Sequence, residues 1–303
     1  MGPKDIEAQC MTEPTPSPCL SHQIVLPFEQ TAPVVFASPH SGQNYSADLL
    51  SLSALDPLTL RRSEDAFVDE LFAAAPGAGA PLIKALFPRV FLDANREPFE
   101  LDPTMFAEPL PAHVNANSPR VAAGLGTIAR VVASGEDIYR RKLRLAEATE
   151  RIATHYTPYH NSLTALLDKT MARFGGVLLI DCHSMPSIGG PMDSDPGLKR
   201  VDIVLGDCHG TSCAPAITDY ARNALVALGY VVRRNNPYAG GYTTRHYGRP
   251  NHAHHALQIE INRALYMDED RIRHNARFPV VQQHIGELIS ALTRIAPAML
   301  TRC

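Results

Sequence analysis

Apolar residues in this chain fall into two kinds of run, short unbroken ones and longer ones with helical spacing. The unbroken runs at 34–38 and 177–180 are strand-sized and have no polar face, which predicts strands buried on both sides. Residues 201–205 and 230–233 read as further strands, and 256–261 as a strand with period-two alternation. Residues 81–87 and 90–92 read as extended segments. Helical spacing occurs at 64–75, where Phe67, Leu71 and Phe72 share a face, and at 214–228. It recurs at 277–296 through Val281, Ile285, Leu288, Leu292 and Ile295. The longest helical stretch, 137–172, places Ile138, Leu145, Ile152, Tyr159 and Leu166 every seventh residue, joined by Tyr156 and Leu163. Pro158 lies inside it and predicts a kink or a division, and Gly175 and Gly176 end it.

Strands separated by helices predict an α/β fold with a mainly parallel or mixed central sheet and helices on both faces. Residues 1–22 are rich in Pro, Ser, Thr and acidic residues and show no periodicity, so they read as a loose arm before a single domain at 23–303.

The chain has 303 residues, of which 45% are hydrophobic and 19% charged, enough for a substantial core. A formal net charge of −3 argues against nucleic acid or an anionic membrane as the main partner. No apolar run approaches bilayer length. Lys4, Asp5 and Glu7 stand where a secretion signal would be apolar, so the expected compartment is the cytoplasm. The cysteines Cys10, Cys19, Cys182, Cys208, Cys213 and Cys303 contain no pair at the two-residue spacing of a zinc knuckle or redox motif. Cys182 reads as a small buried core residue.

In α/β sheets ligands gather at the carboxyl ends of strands. The run 34–38 leads into Pro39-His40-Ser41-Gly42, and 177–180 leads into Asp181-Cys182-His183-Ser184. Two histidines delivered in the same topological setting make a candidate metal site, since neutral imidazole is a good zinc ligand and a third ligand would leave a position open. Taken singly, each reads as a hydrogen-bonded structural residue sooner than as a ligand; it is the pair that points to a site. Asp181 could orient a ligand or face the metal itself. Glu64 and Asp65, at a predicted helix start, could supply the third ligand or merely cap the helix.

The stretch 240–250 sets Arg245 and Arg249 between glycines and reads either as a carboxylate clamp or as a solvated glycine-rich loop. In the clamp reading Gly241 and Tyr242 also touch substrate. His252, His254 and His255 lack partners at metal spacing and read as non-ligands. Glu260, on an apolar strand, is either a base with a raised pKa or half of a buried ion pair with Arg263 or Arg245. Arg96, in Asp93-Ala94-Asn95-Arg96-Glu97, could bind substrate or hold its acidic neighbours.

Together these segments resemble the N-formylglutamate amidohydrolase family. The matching pieces are 38–42, Glu64-Asp65 with 68–71, 93–96, 181–184, 206–213, 240–250 and Gln258-Ile259-Glu260, in order over about residues 32 to 270. The resemblance implies a fold of the zinc-carboxypeptidase or phosphorylase/hydrolase type. It implies one Zn2+ per chain on His40, Asp65 and His183, with Glu64 open as an alternative. It implies Glu260 as catalytic base and Arg96, Arg245 and Arg249 at substrate carboxylates. The implied reaction removes formyl from N-formyl-L-glutamate or a similar N-acyl amino acid. Histidine-pathway members commonly carry Thr-Asp-Trp-His where this chain has Glu64-Asp65-Ala66-Phe67, which leaves the acyl amino acid open. Two other readings stand beside this one: a metal-dependent hydrolase of another N-acyl amino acid or small peptide, and a non-catalytic binder of an acidic small molecule.

Overall fold

The computed structural model of the chain describes residues 20–191, 193 and 195–301. Most of the expected arm, residues 1–19, lies outside them, while His22 at its end already opens a strand. Seven strands form one sheet: β1 (His22–Val25), β2 (Val34–Ser38), β3 (Leu82–Ala85), β4 (Val177–Met185), β5 (Ile203–Gly206), β6 (Val232–Arg234) and β7 (His254–Asn262). Their spatial order is β1-β3-β2-β4-β7-β5-β6. Strands β3, β2, β4 and β7 run parallel; β1 and β5 are antiparallel to their neighbours β3 and β7, and β6 follows β5. The sheet is mixed and mostly parallel, with helices on both faces, as the alternation of runs predicts.

Strands β4 and β7 pair along nine register positions, from Val177↔His254 to Met185↔Asn262. Successive side chains alternate between faces. Leu178, Ile180, Cys182, Leu257, Ile259 and Ile261 join one core, packed on helices Pro215–Ala227 and Phe278–Thr293. Val177, Leu179 and Ala256 join the other, under helix Thr157–Phe174 and its Tyr159, Leu163, Leu166 and Leu167. Most of the stability of a helix in a folded protein comes from packing its apolar face, here at about 1.5–3 kcal/mol for each fully buried large apolar side chain. Beyond the apolar half, this second face turns polar. Asp181, His183, Gln258 and Glu260 follow in the same alternation, with Asp181 beside Gln258 and His183 beside Glu260.

Four local expectations change. The segment 64–75 is helical only at Val68–Leu71. Phe67 before it is left-handed (φ 66°), and Asp65, whose N–H donates to the His40 carbonyl, is not in the helix. Residues 90–92 form a turn in which Phe91 and Leu92 both donate to the Pro88 carbonyl. Residues 137–144 are not helical but make isolated bridges to Val131, Ser53 and Phe106; Ile138 matched the sevenfold spacing of a helix it does not join. The helix begins at Leu145, where the Arg144 N–H donates to Glu147. Pro158 does not break it. A π-helical turn at Ile152–Tyr156 precedes the proline, with the Thr157 N–H reaching back to the Ile152 carbonyl. Such a turn skips one bond of the ladder, which suits a residue without an N–H. Among the described residues no helix is long and apolar enough to cross a membrane.

Glu147 gives a test of this helix start. It accepts from Arg144 N at 2.7 Å and from Arg141 Nη2 at 2.8 Å. The Arg141 hydrogen bond is the main reason its carboxyl falls to about 2. Glu147→Ala should therefore lower stability by about 1 kcal/mol at neutral pH. A depressed folded-state pKa stabilises above the unfolded value of about 4.3, and the gain is lost as pH falls towards 2. Denaturant unfolding of both proteins should show their difference shrinking through that window.

Candidate active site

Strand β2 ends at Ser38, and the chain places His40 two residues later under the sheet's carboxyl edge. His183 projects from β4, and Asp65 enters from the loop before Val68–Leu71. The three are at most 2% exposed. Asp65 Oδ2 lies 2.9 Å from His183 Nδ1 and 3.3 Å from His40 Nδ1, and the three candidate ligand atoms all lie within 4.8 Å of one another. This group can hold a metal ion.

The outer nitrogens are also fixed. His40 Nε2 donates to Asp93 Oδ1 at 2.8 Å, and His183 Nε2 lies 2.9 Å from Asp181 Oδ2. A neutral imidazole that donates through Nε2 presents Nδ1 as an acceptor. Both Nδ1 atoms then face an acceptor-only carboxylate, an arrangement that calls for a cation between them. The carboxylate–histidine–ligand order is that of metal sites whose imidazoles are oriented from behind. Burial alone would lower the His183 pKa, but the Asp181 charge and the Asp65 hydrogen bond raise it well above the ordinary histidine value. What stabilises a proton there stabilises any cation. Burial pushes the Asp65 carboxyl up, yet hydrogen bonds from the protonated forms of His183 and His40 outweigh it and hold it well below the usual range; a bound cation would take the place of those protons. Its other oxygen accepts from Arg263 Nη2 at 3.0 Å.

The group opens into a cavity of about 360 Å³, whose lining includes His40, Arg89, Asp93, Asn95, Arg96, Arg120, His183, Gly241, Gln258, Glu260 and Arg263. Glu260 accepts from Gln258 Nε2 at 2.7 Å, and burial raises its pKa against the opposing charge of His183. It is not half of an ion pair with Arg245, which is exposed, and Arg263 is spent on Asp65.

The cavity places most sequence candidates and relocates some. Arg96 lines it, with Nε on the Leu125 carbonyl and Nη2 3.6 Å from Asp93. Gly241 lines it as well. Its N–H donates to Gln258 Oε1 at 2.7 Å, and a Cβ there would meet the Asn95 side chain at 2.3 Å. Arg245 and Arg249 are exposed and do not line the cavity; Arg245 lies on the short helix 242–247 and Arg249 just beyond it. Tyr242 packs against the core under Thr157–Phe174 and stacks on His246. The cationic groups that reach the cavity are those of Arg89, Arg96, Arg120 and Arg263. Glu64 is engaged by Arg61 and Tyr45, away from the imidazoles. Asp181 lies behind His183, on the ring nitrogen away from Asp65. His255 bonds the Ala214 N–H and the Leu300 carbonyl.

Sequence reasoning gave no role to Asn95 or Gln258 and none to Arg120. Asn95 lies 3.2 Å from His183 Nε2 and accepts from Thr243 N at 2.8 Å, tying β4 to the 240s loop. Its position beside Arg96 was the available signal; Arg120, on the short helix Pro119–Ala122, had none. Ala66 and Phe67, which stand where the Thr-Asp-Trp-His run has its aromatic and its histidine, do not line the cavity.

Fold and site together define an α/β protein with a buried His–Asp–His group able to hold a metal ion, beside a buried glutamate towards the ends of parallel strands. The sequence model of the N-formylglutamate amidohydrolase family matches residues 32–267, and the chain belongs to that family. It is a hydrolase acting on an amide. N-formylglutamate deformylases of Pseudomonas putida and Pseudomonas aeruginosa are each 29% identical over 250 residues, covering 81% of this chain and 86% of theirs. The crystal structure of N-formylglutamate amidohydrolase from Ralstonia eutropha JMP134 superposes with a TM-score of 0.83 at 36% identity, over 90% of this chain and 97% of that one. The gene product Atu2144 from Agrobacterium tumefaciens shares the fold, with a TM-score of 0.55 at 20% identity.

The metal group predicts a clean separation between neighbours. Purified protein should carry about one metal ion per chain, as a three-ligand site does. His40→Ala, Asp65→Ala and His183→Ala should lose it, whereas Glu64→Ala should keep it. Elemental analysis reads the difference; metal retained by Asp65→Ala and lost by Glu64→Ala would reverse the ligand assignment.

Proposed function

We propose that the chain is a zinc-dependent N-formylglutamate deformylase, releasing formate and glutamate. The observation that carries this reading is the buried His40–Asp65–His183 group opening beside Glu260 into a cavity lined by arginines. The names of the relatives supply the substrate, and the cavity's cationic lining agrees with an acidic one. Two imidazoles and one carboxylate form a donor set suited to zinc. A divalent metal bound there supplies Lewis acidity, which polarises an amide carbonyl and acidifies water.

The residues of the chain then divide the remaining work. Glu260 takes the proton of the attacking water as the new C–O bond forms, and returns it to the amine nitrogen as the C–N bond breaks. Its raised pKa suits both directions of transfer near neutral pH. Arg96 pairs with the α-carboxylate of the substrate. Arg89, held by Asp93 at 3.0 Å and 3.8 Å from Asp65, offers a fixed donor where negative charge develops on the carbonyl oxygen. No serine or cysteine nucleophile is needed.

Formate release from N-formyl-L-glutamate by zinc-loaded protein tests the reading, and absence of release would remove it. Glu260→Gln should lower kcat by roughly 10²-fold or more while zinc content and KM change little. Near-normal turnover in that variant would exclude Glu260 as the base, and loss of zinc would make it a ligand.

A further inference from the structure

Four arginines line the cavity, and three of them are matched by carboxylates. Arg89 lies 3.0 Å from Asp93, Arg263 3.0 Å from Asp65, and Arg96 3.6 Å from Asp93. The Arg120 guanidinium makes no ion pair or side-chain hydrogen bond with any described residue, and Arg120 is exposed while lining the cavity. An exposed arginine is ordinarily just solvated. Arg120 differs in being built onto the same unit as Arg96. Arg96 Nε donates to the Leu125 carbonyl at 2.8 Å, and Leu125 N donates to the Arg120 carbonyl at 2.8 Å. The turn Pro119–Ala122 that bears Arg120 is capped by Ser118, which accepts from Val121 N at 3.0 Å and donates to Glu100. Two guanidinium groups thus face one chamber from a fixed frame.

Their exposures differ in a way that matches a substrate. Both line the chamber, but Arg96 is 7% exposed while Arg120 stands open to solvent. In an N-acyl amino acid the α-carboxylate is one carbon from the scissile nitrogen and must lie deep. The side-chain carboxylate of a glutamate lies two methylenes farther out. Burial brings the Arg96 guanidinium down to about 10, and the like charge of Arg120 pulls the same way against Asp93. An anion between the two would relieve that repulsion.

We propose that Arg120 is a specificity-determining residue, taking the side-chain carboxylate of a dicarboxylic N-acyl amino acid while Arg96 holds the α-carboxylate. This rests on the deformylase reading for the reaction, but its binding test does not require turnover. Calorimetry with glutarate and its neutral-ended counterpart glutaramate should show the unaltered protein preferring glutarate by about tenfold or more. In Arg120→Gln that preference should fall to about twofold or less, and Arg120→Lys should recover part of it, because a point charge replaces the fork. With N-formyl-L-glutamate and N-formyl-L-glutamine as substrates, the same variant should lose its acid preference through KM more than kcat. No preference for glutarate in the unaltered protein, or an unchanged preference in Arg120→Gln, overturns the assignment. A binding preference that Arg120→Gln abolishes, with no formate released from either substrate, leaves Arg120 assigned and removes only the deformylase reading.

Discussion

The site depends on one carboxylate. Asp65 is 1% exposed, sits on irregular chain, and is reached by two imidazoles on one oxygen and by Arg263 on the other. A lone buried carboxylate is too costly to persist, so each partner is a condition of its ionisation. The partners are themselves tied down. His40 is backed by Asp93, His183 by Asp181, and Arg263 by Ser184 and the Arg62 carbonyl. Removing any one leaves another charge unpaired, which is why so much of the second sheet face has to be polar and why that polarity is confined to the ends of β4 and β7.

The parts of the fold legible in the sequence are those where one physical pressure acts alone. Strands β2 and β4 are buried on both faces, and unbroken apolar runs mark them; β7 is marked by its alternation, and helix Phe278–Thr293 has a single apolar stripe. Misreadings occur where two pressures share a pattern. Ile138 fits a sevenfold spacing by chance of register, and Asp65 looks like a helix cap because acids suit helix starts, although its neighbour Phe67 turns left-handed and the helix begins beyond it. Likewise, β4 extends through Met185, so the Asp181 to Ser184 run lies within the sheet and not after it.

The site was legible for the same reason and to the same depth. His40, His183 and Glu260 stand at the ends of apolar runs, where polarity is conspicuous. Arg245 and Arg249 were conspicuous too, yet only the three-dimensional path of 242–247 decides which way a loop arginine points. The groups that do reach the cavity are held by contacts distant in sequence, such as Asp93 with His40 and Asn95 with Thr243. Spacing carries no trace of such pairs.

The cavity has two kinds of wall. Its floor, His183, Gln258 and Glu260, belongs to paired central strands whose register cannot slip without turning every side chain to the opposite face. Its roof and rim, including Arg96, Arg120, Leu125 and Gly241, belong to connecting segments between strands. Descendants of such a protein can lengthen, shorten or recharge the rim while inheriting the floor intact. Divergence in what is cleaved is then evolutionarily inexpensive, whereas divergence in how it is cleaved would require rebuilding the centre of the sheet.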